Sequence, residues 1–302
     1  MPSAKNGRPM MSEPCIRTRN LGKSFGGKAV LEGLNLEVYP GDVVGLIGLN
    51  GAGKTTLLEA LSGFSPATQG EVTVFGHPVL SPPEAVKRRI GYVPQTDELI
   101  PSLKAIDYLE VIASFYPKWD REKIDALARS WQIDLSARIR SMSVGQRQKV
   151  SLLGALGHQP DLLLLDEPVA SLDPLARRQF LQELVDVTAS GERAVILSSH
   201  IVSDIERLAN RIWVLKDRRL YWSGECDSLK DSVVRIHYRS RERLTTLMDL
   251  PNVLHRHEED GYTALVVQDW SESLHRQFRG IAGVALEIET LSLEEIFLEL
   301  HR

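Results

Sequence analysis

Only two cysteines, Cys15 and Cys226, occur in the 302 residues, and they stand far apart in the chain. A lone distant pair makes no disulfide framework and fits a reducing, cytosolic setting. No run reaches the roughly 18 apolar residues that a membrane-spanning helix needs. The longest candidates, VVGLIGL and LLLL, read as buried strands, so any membrane role has to pass through a partner. A large excess of one charge is also missing. The formal net charge of −4 announces no broad basic face for nucleic acid and leaves only a local patch open. Residues 1–14, MPSAKNGRPMMSEP, lack the apolar core of a signal peptide and are expected to form a disordered lead-in. Internal repeats are absent, as is any low-complexity tract beyond that tail.

What remains is ordinary globular material, 43% apolar and 25% charged, enough for one large domain or a large one with a small companion. Residues 15–40 alternate as short strands around the glycine turn of KSFGGKAVL. VVGLIGLNGAGKTTLLEALSG then reads as strand, glycine loop and helix. Residues 102–140 carry apolar positions at helical spacing, in LKAIDYLEVIASF and REKIDALARSW. QRQKVSLLGALG (helix), DLLLLDEP (buried strand), ARRQFLQELVDVTAS (helix), AVILSSH (strand), IVSDIERLA and RIWVLKDRRL continue the alternation. Continuous apolar strands separated by helices predict a largely parallel α/β sheet covered on both faces. From about residue 225 the pattern changes. VVRIHYR, a helical RERLTTLMDL, VLHRHEE, YTALVVQD, a helical ESLHRQFRG, ALEIET and SLEEIFLEL predict β-α-β-β-α-β plus a last helix, a small separate α+β domain.

Two stretches carry chemistry. Gly48-Leu49-Asn50-Gly51-Ala52-Gly53-Lys54-Thr55 matches G-x-x-x-x-G-K-[ST] between a strand and a helix. Glycines let successive N–H groups turn inward around phosphate oxygens, and the helix N-terminus adds its positive dipole end. Lys54 is placed to reach the β/γ-phosphates, Thr56 follows in the loop, and the Thr55 hydroxyl suits Mg²⁺. The second stretch, Leu162–Pro168, is a buried strand that ends in Asp166 and Glu167 at the sheet's carboxyl edge. Asp166 fits a magnesium support through the metal's water shell. Glu167, one residue on, fits a base that orients or deprotonates an attacking water.

With these residues in hand, the chain resembles the nucleotide-binding subunits of ABC transporters over roughly residues 15–225. Gln95 in YVPQ looks like the Q-loop glutamine. MSVGQRQK (142–149) looks like the signature motif, usually LSGGQ, with Met142 and Val144 departing from it. SLDP (171–174) looks like the D-loop, His200 in LSSH like the switch histidine, and Phe25 like the aromatic that stacks on adenine. The resemblance implies a P-loop NTPase of the ABC type: a RecA-like core with a β-subdomain and an inserted helical subdomain at about 96–150, all within 15–224. Residues 225–302 form the accessory domain. It implies ATP and Mg²⁺ as ligands, with Lys54, Gln95, Glu167 and His200 catalytic and Thr55, Gln95 and Asp166 around the metal. It also implies that two cassettes close head to tail, so that Ser143, Gly145 and Gln146 complete the other copy's site and Asp173 lies at the dimer contact. A separate permease supplies the membrane helices, nucleic acid is not an expected partner, and the chain sits on the inner face of the membrane. The tail SLEEIFLEL resembles cassettes that serve exporters. A soluble ABC ATPase acting on ribosomes or DNA is the competing function. One set of motifs and only residues 57–161 between the P-loop and the acidic strand, without sustained heptads, weigh against it. A nucleotide-binding module without turnover would need neither Glu167 nor His200.

Overall fold

The computed structural model describes residues 13–96, 98–239, 252–259, 262–279 and 286–302. The lead-in expected over the N-terminus lies outside these residues up to position 12, as does the helix expected at RERLTTLMDL.

A six-stranded sheet forms the centre, in the order Arg219–Glu225, Arg211–Lys216, Val43–Ile47, Ala194–Ser198, Leu162–Leu165, Ile90–Val93. All neighbours are parallel except the edge hairpin, which turns at Asp217 and Arg218 with φ of 50° and 69°. The middle strands are apolar throughout because side chains alternate across a sheet whose two faces are both covered. Leu162 and Leu164 enter one core, with the P-loop helix Lys54–Ser62 and the antiparallel β-subdomain. Leu163 and Leu165 enter the other, with the helices that follow. The same alternation sorts Ala194 and Ile196 from Val195 and Leu197.

The β-subdomain is antiparallel and built on Ile16–Phe25, Lys28–Leu34 and Gln69–Val74. Helices Ala105–Ala113, Arg121–Ser130 and Val144–Leu156 pack into the core on the Leu163 and Leu165 face of the sheet. Asp120 caps the second of these by accepting the Lys123 N–H at 2.9 Å.

Beyond Glu225, a short helix Cys226–Ser232 leads to an antiparallel sheet in the order Val253–Glu259, Tyr262–Val267, Val234–Arg239, Leu286–Thr290. Its small core of Val234, Ile236, Tyr238, Leu265 and Val267 is flanked by Trp270 and Leu274 at the helix Glu272–Arg279. The last helix, Leu293–His301, does not belong to that small core. Leu293, Ile296 and Leu300 join the cassette's own core beside Ile205 and Leu229, and the Lys216 ammonium donates to the Leu300 carbonyl at 2.6 Å. The same helix touches the last sheet, with Arg235 3.2 Å from the Glu299 carboxylate and His255 Nε2 2.8 Å from the Glu299 carbonyl.

Candidate functional site

Four adjacent strands deliver one cluster of side chains. Where Val43–Ile47, Ala194–Ser198, Leu162–Leu165 and Ile90–Val93 end, the chain turns into the P-loop, His200, Asp166–Glu167 and Gln95. This carboxyl edge is where open α/β sheets bind ligands.

The loop's shape follows from its glycines. Gly51 and Gly53 stand at φ of 80° and 101°, and a Cβ on Gly53 would lie 2.8 Å from Leu31 Cδ2. Gly48 approaches the Leu215 carbonyl from above, and the Ala52 N–H donates to the Leu49 carbonyl at 3.0 Å. The helix that starts at Lys54 has no side-chain cap and no acid in its first turn, so its leading N–H groups are free for an anion. Buried Lys54 bends back and donates from Nζ to the Gly48 carbonyl at 2.9 Å. A cavity of about 500 Å³ opens here, lined by Asn50, Gly51, Gly53, Lys54, Thr55 and Thr56 with Phe25, Val30, Gln95 and Glu167. Phe25 is half exposed at its rim, its ring 4.8 Å from the Lys23 ammonium, which is itself held by the Pro66 carbonyl at 2.6 Å.

The acidic pair is held by a residue that the sequence did not single out. Ser198 Oγ donates to Asp166 Oδ1 at 2.6 Å and accepts the Glu167 N–H at 2.9 Å, fixing the turn between them. Glu167 adopts φ of 49°, a conformation unfavourable for a side chain and typical of functional turns. Its Oε2 accepts the His200 backbone N–H at 3.1 Å and Nδ1–H at 2.7 Å, while Oε1 lies 4.0 Å from Lys54 Nζ. Ser198 was legible only as a small residue in LSSH. Its role depends on adjacency of two strands that are far apart in sequence.

Magnesium fits the residues present. Asp166 Oδ2 is buried without a hydrogen-bond partner, and the Thr55 hydroxyl lies 3.5 Å from Gln95 Oε1. Carboxylate, hydroxyl and amide carbonyl are the hard oxygen donors that this cation takes.

Ser143, Gly145, Gln146 and Asp173 stand apart, and none of them lines the cavity. Ser143 and Gln146 form a capping box: Gln146 N–H donates to Ser143 Oγ at 3.2 Å, and Ser143 N–H to Gln146 Oε1 at 2.9 Å. The helix therefore begins at Val144, two residues before the expected start near Gln146. Asp173 caps the helix Pro174–Thr188 through the N–H groups of Ala176 and Leu175, which hold its carboxyl below the usual range.

The sequence profile of the family described as "ABC transporter" matches residues 31–170. A Nod factor export ATP-binding protein I of Burkholderia pseudomallei (strain 1710b) is 30% identical over 307 residues, covering 96% of this chain and 98% of that protein. Its namesake in Rhizobium sp. (strain N33) is 32% identical over 300 residues, with 96% and 98% covered. The chain belongs to the ABC transporter ATP-binding proteins. A solved structure titled as the ATP binding subunit of an ABC transporter shares the fold of this cassette with a TM-score of 0.70 and 25% identity, over 95% of this chain and all of that one. The cassette binds ATP, and its hydrolysis of ATP powers a transporter.

Proposed function

We propose that this chain is the ATPase subunit of an exporter, working as a pair of identical cassettes under a separate permease. The observation that carries it is the Glu167 carboxylate at the P-loop cavity, contacted by His200 and facing Lys54. In this reading Lys54 holds the β/γ-phosphates and Phe25 stacks on the base, a contact worth about 1–3 kcal/mol. Glu167 takes up the proton of the attacking water, and His200 holds the γ-phosphate while sharing the Glu167 carboxylate. When bound, magnesium at Thr55, Gln95 and Asp166 neutralises charge on the leaving phosphates. Because phosphoryl transfer is mainly positioning and charge stabilisation, a site in which buried Lys54, Asp166 and Glu167 are held by hydrogen bonds is suited to it.

Ser143 and Gly145 do not line this cavity. The uncapped P-loop helix supplies one side, and a second copy's Ser143 and Gly145 supply the other. Among the described residues no helix is long and apolar enough to cross a membrane. A groove of about 530 Å³ between the P-loop helix and the helical subdomain offers a docking surface instead. It is lined by Phe64, Leu80, Tyr92, Tyr108, Ile112 and Tyr116, and Phe64 and Leu80 are largely exposed, as is nearby Phe115. Exposed apolar patches of this kind mark partner sites, and Gln95 lies on the segment between groove and nucleotide. Export rather than import is supported by the similarity to Nod factor export ATP-binding proteins. Direct fractionation tests the assignment: the chain should join membranes only when a multi-spanning partner is co-expressed. Sedimentation with ribosomes instead would favour the soluble alternative and sink the transporter reading.

A further inference from the structure

In the paired cassette proposed above, the signature motif serves one nucleotide and His200 serves the other. Within a single chain the two are nevertheless joined by a run of short contacts. Gly145 packs so tightly on the D-loop that a Cβ there would lie 2.7 Å from the Ser171 carbonyl oxygen. One turn further along the signature helix, Lys149 Nζ is 3.8 Å from the Asp173 carboxylate. Asp173 is fixed in turn to the first turn of Pro174–Thr188, whose N–H groups it caps. From that turn Arg177 reaches sideways, with Nε 2.6 Å from Asp204 Oδ2 and Nη2 2.6 Å from Oδ1. Asp204 is only 3% exposed and lies in the helix Val202–Leu208, which begins two residues after His200. His200 closes the run on Glu167.

We propose that Arg177 and Asp204 are a positioning pair that carries engagement of the signature motif and D-loop at the dimer contact to His200. Each site's turnover then depends on the occupancy of the other; this rests on the paired-cassette reading. The geometry favours a mechanical role over a merely stabilising one. A bidentate guanidinium–carboxylate pair fixes the relative orientation of two helices as well as their distance. With Asp204 buried, the pair cannot part without stranding a charge away from water. Stability alone does not call for such a pair, since a well-packed apolar pair at the same place is often as stable or more so. Orientation is what an apolar pair lacks. The ion pairs Arg17–Glu37 and Arg89–Asp161, by contrast, are nearly half exposed on both sides and fix little, whereas Arg235–Glu299 also closes on a buried carboxylate but lies away from the motifs of the site.

The test uses the full chain as wild type, Arg177→Met/Asp204→Leu, and Arg177→Lys, which keeps the charge but not the fork. For each, ATPase rate is measured across ATP concentration, together with Tm and the affinity of the monomer for a fluorescent ATP analogue. The wild type should show a Hill coefficient above one. The apolar double variant should keep its Tm within a few degrees and its analogue affinity within twofold. Its kcat should fall about tenfold and its Hill coefficient should drop to one. Arg177→Lys should lie between. Wild-type rate and cooperativity in the folded double variant overturn the proposal, as does a wild type with a Hill coefficient of one. If the double variant fails to fold, Arg177→Lys decides, and wild-type cooperativity in it overturns the proposal equally. A wild type that neither binds nor hydrolyses ATP sinks the cassette reading itself, a result distinct from either of these.

Discussion

Glu167 shows what a single residue is made to bear. It follows a strand of four buried leucines, takes φ of 49°, and has both carboxylate oxygens directed at other groups of the site. Exchanging its carboxylate for an amide keeps the shape and removes the base proposed above. Glu167→Gln should lower kcat by about 10²–10³-fold, within the range of general-base contributions, and leave ATP affinity in place, as single-turnover rates and analogue binding would show. A variant that turns over at the wild-type rate would remove Glu167 from the chemistry. Val144 gives the opposite lesson. A β-branched residue where the signature motif usually has glycine predicts a restricted backbone beside phosphate. In the structure Val144 is the first helical residue after the Ser143 cap, in a conformation any residue adopts, and its side chain is half exposed. The departure is therefore a matter of the surface offered to the second copy. Val144→Gly should leave analogue binding by the monomer unchanged and alter only hydrolysis that depends on dimers. A shift in monomer affinity would place the motif in the wrong site.

At the scale of elements, much was legible because pattern and burial coincide. The alternation of Leu162 to Leu165 between two cores explains why an uninterrupted apolar run meant a central strand. The P-loop and the acidic pair could be read because each ends a strand at one sheet edge, whereas Gln95 and His200 were legible only through the family resemblance, and the structure places them at the same edge. Two things were not legible. Helical spacing in SLEEIFLEL shows an apolar stripe but not what it faces, so the sharing of Leu293, Ile296 and Leu300 with the cassette core needed the structure. The other is the place of His158, which carries no motif and is deeply buried just past the end of the signature helix. Its Nε2–H donates to the Ile90 carbonyl at 3.1 Å, and the Tyr116 ring stacks on it at 3.9 Å. Burial holds its pKa below the usual histidine value, so the folded state keeps it neutral. The unfolded chain binds that proton first as pH falls, which withdraws stability from about pH 6.5 downward and leaves it intact above. Melting curves should therefore show Tm falling between pH 7 and 5, with His158→Gln, which removes the titrating group, showing a shallower fall. Parallel curves for the two proteins would exclude His158 as the cause.

For the whole molecule the decisive property is incompleteness. One chain holds a cavity with an uncapped helix N-terminus on one side, and Ser143, at the head of the signature helix, does not line it. Leu49, Val144 and Leu175 stand largely exposed near these motifs, apolar area that suits a second copy better than water. If two copies meet head to tail, each site takes Lys54 from one chain and Ser143 from the other, and defects in those residues should complement across the pair. Lys54→Ala and Ser143→Arg chains should each be inactive alone, since every site of either homodimer carries the defect. Mixed in equal amounts, they form heterodimers in which one site has both defects and the other has neither. With random pairing under two-fold symmetry, up to about a quarter of wild-type activity should return, and less than that in proportion as the two sites depend on one another. The rate of the mixture is measured against each chain alone. Recovery requires that the signature act in trans, whereas a mixture as inactive as its parts means either that Ser143 serves its own chain's nucleotide or that neither site turns over without the other.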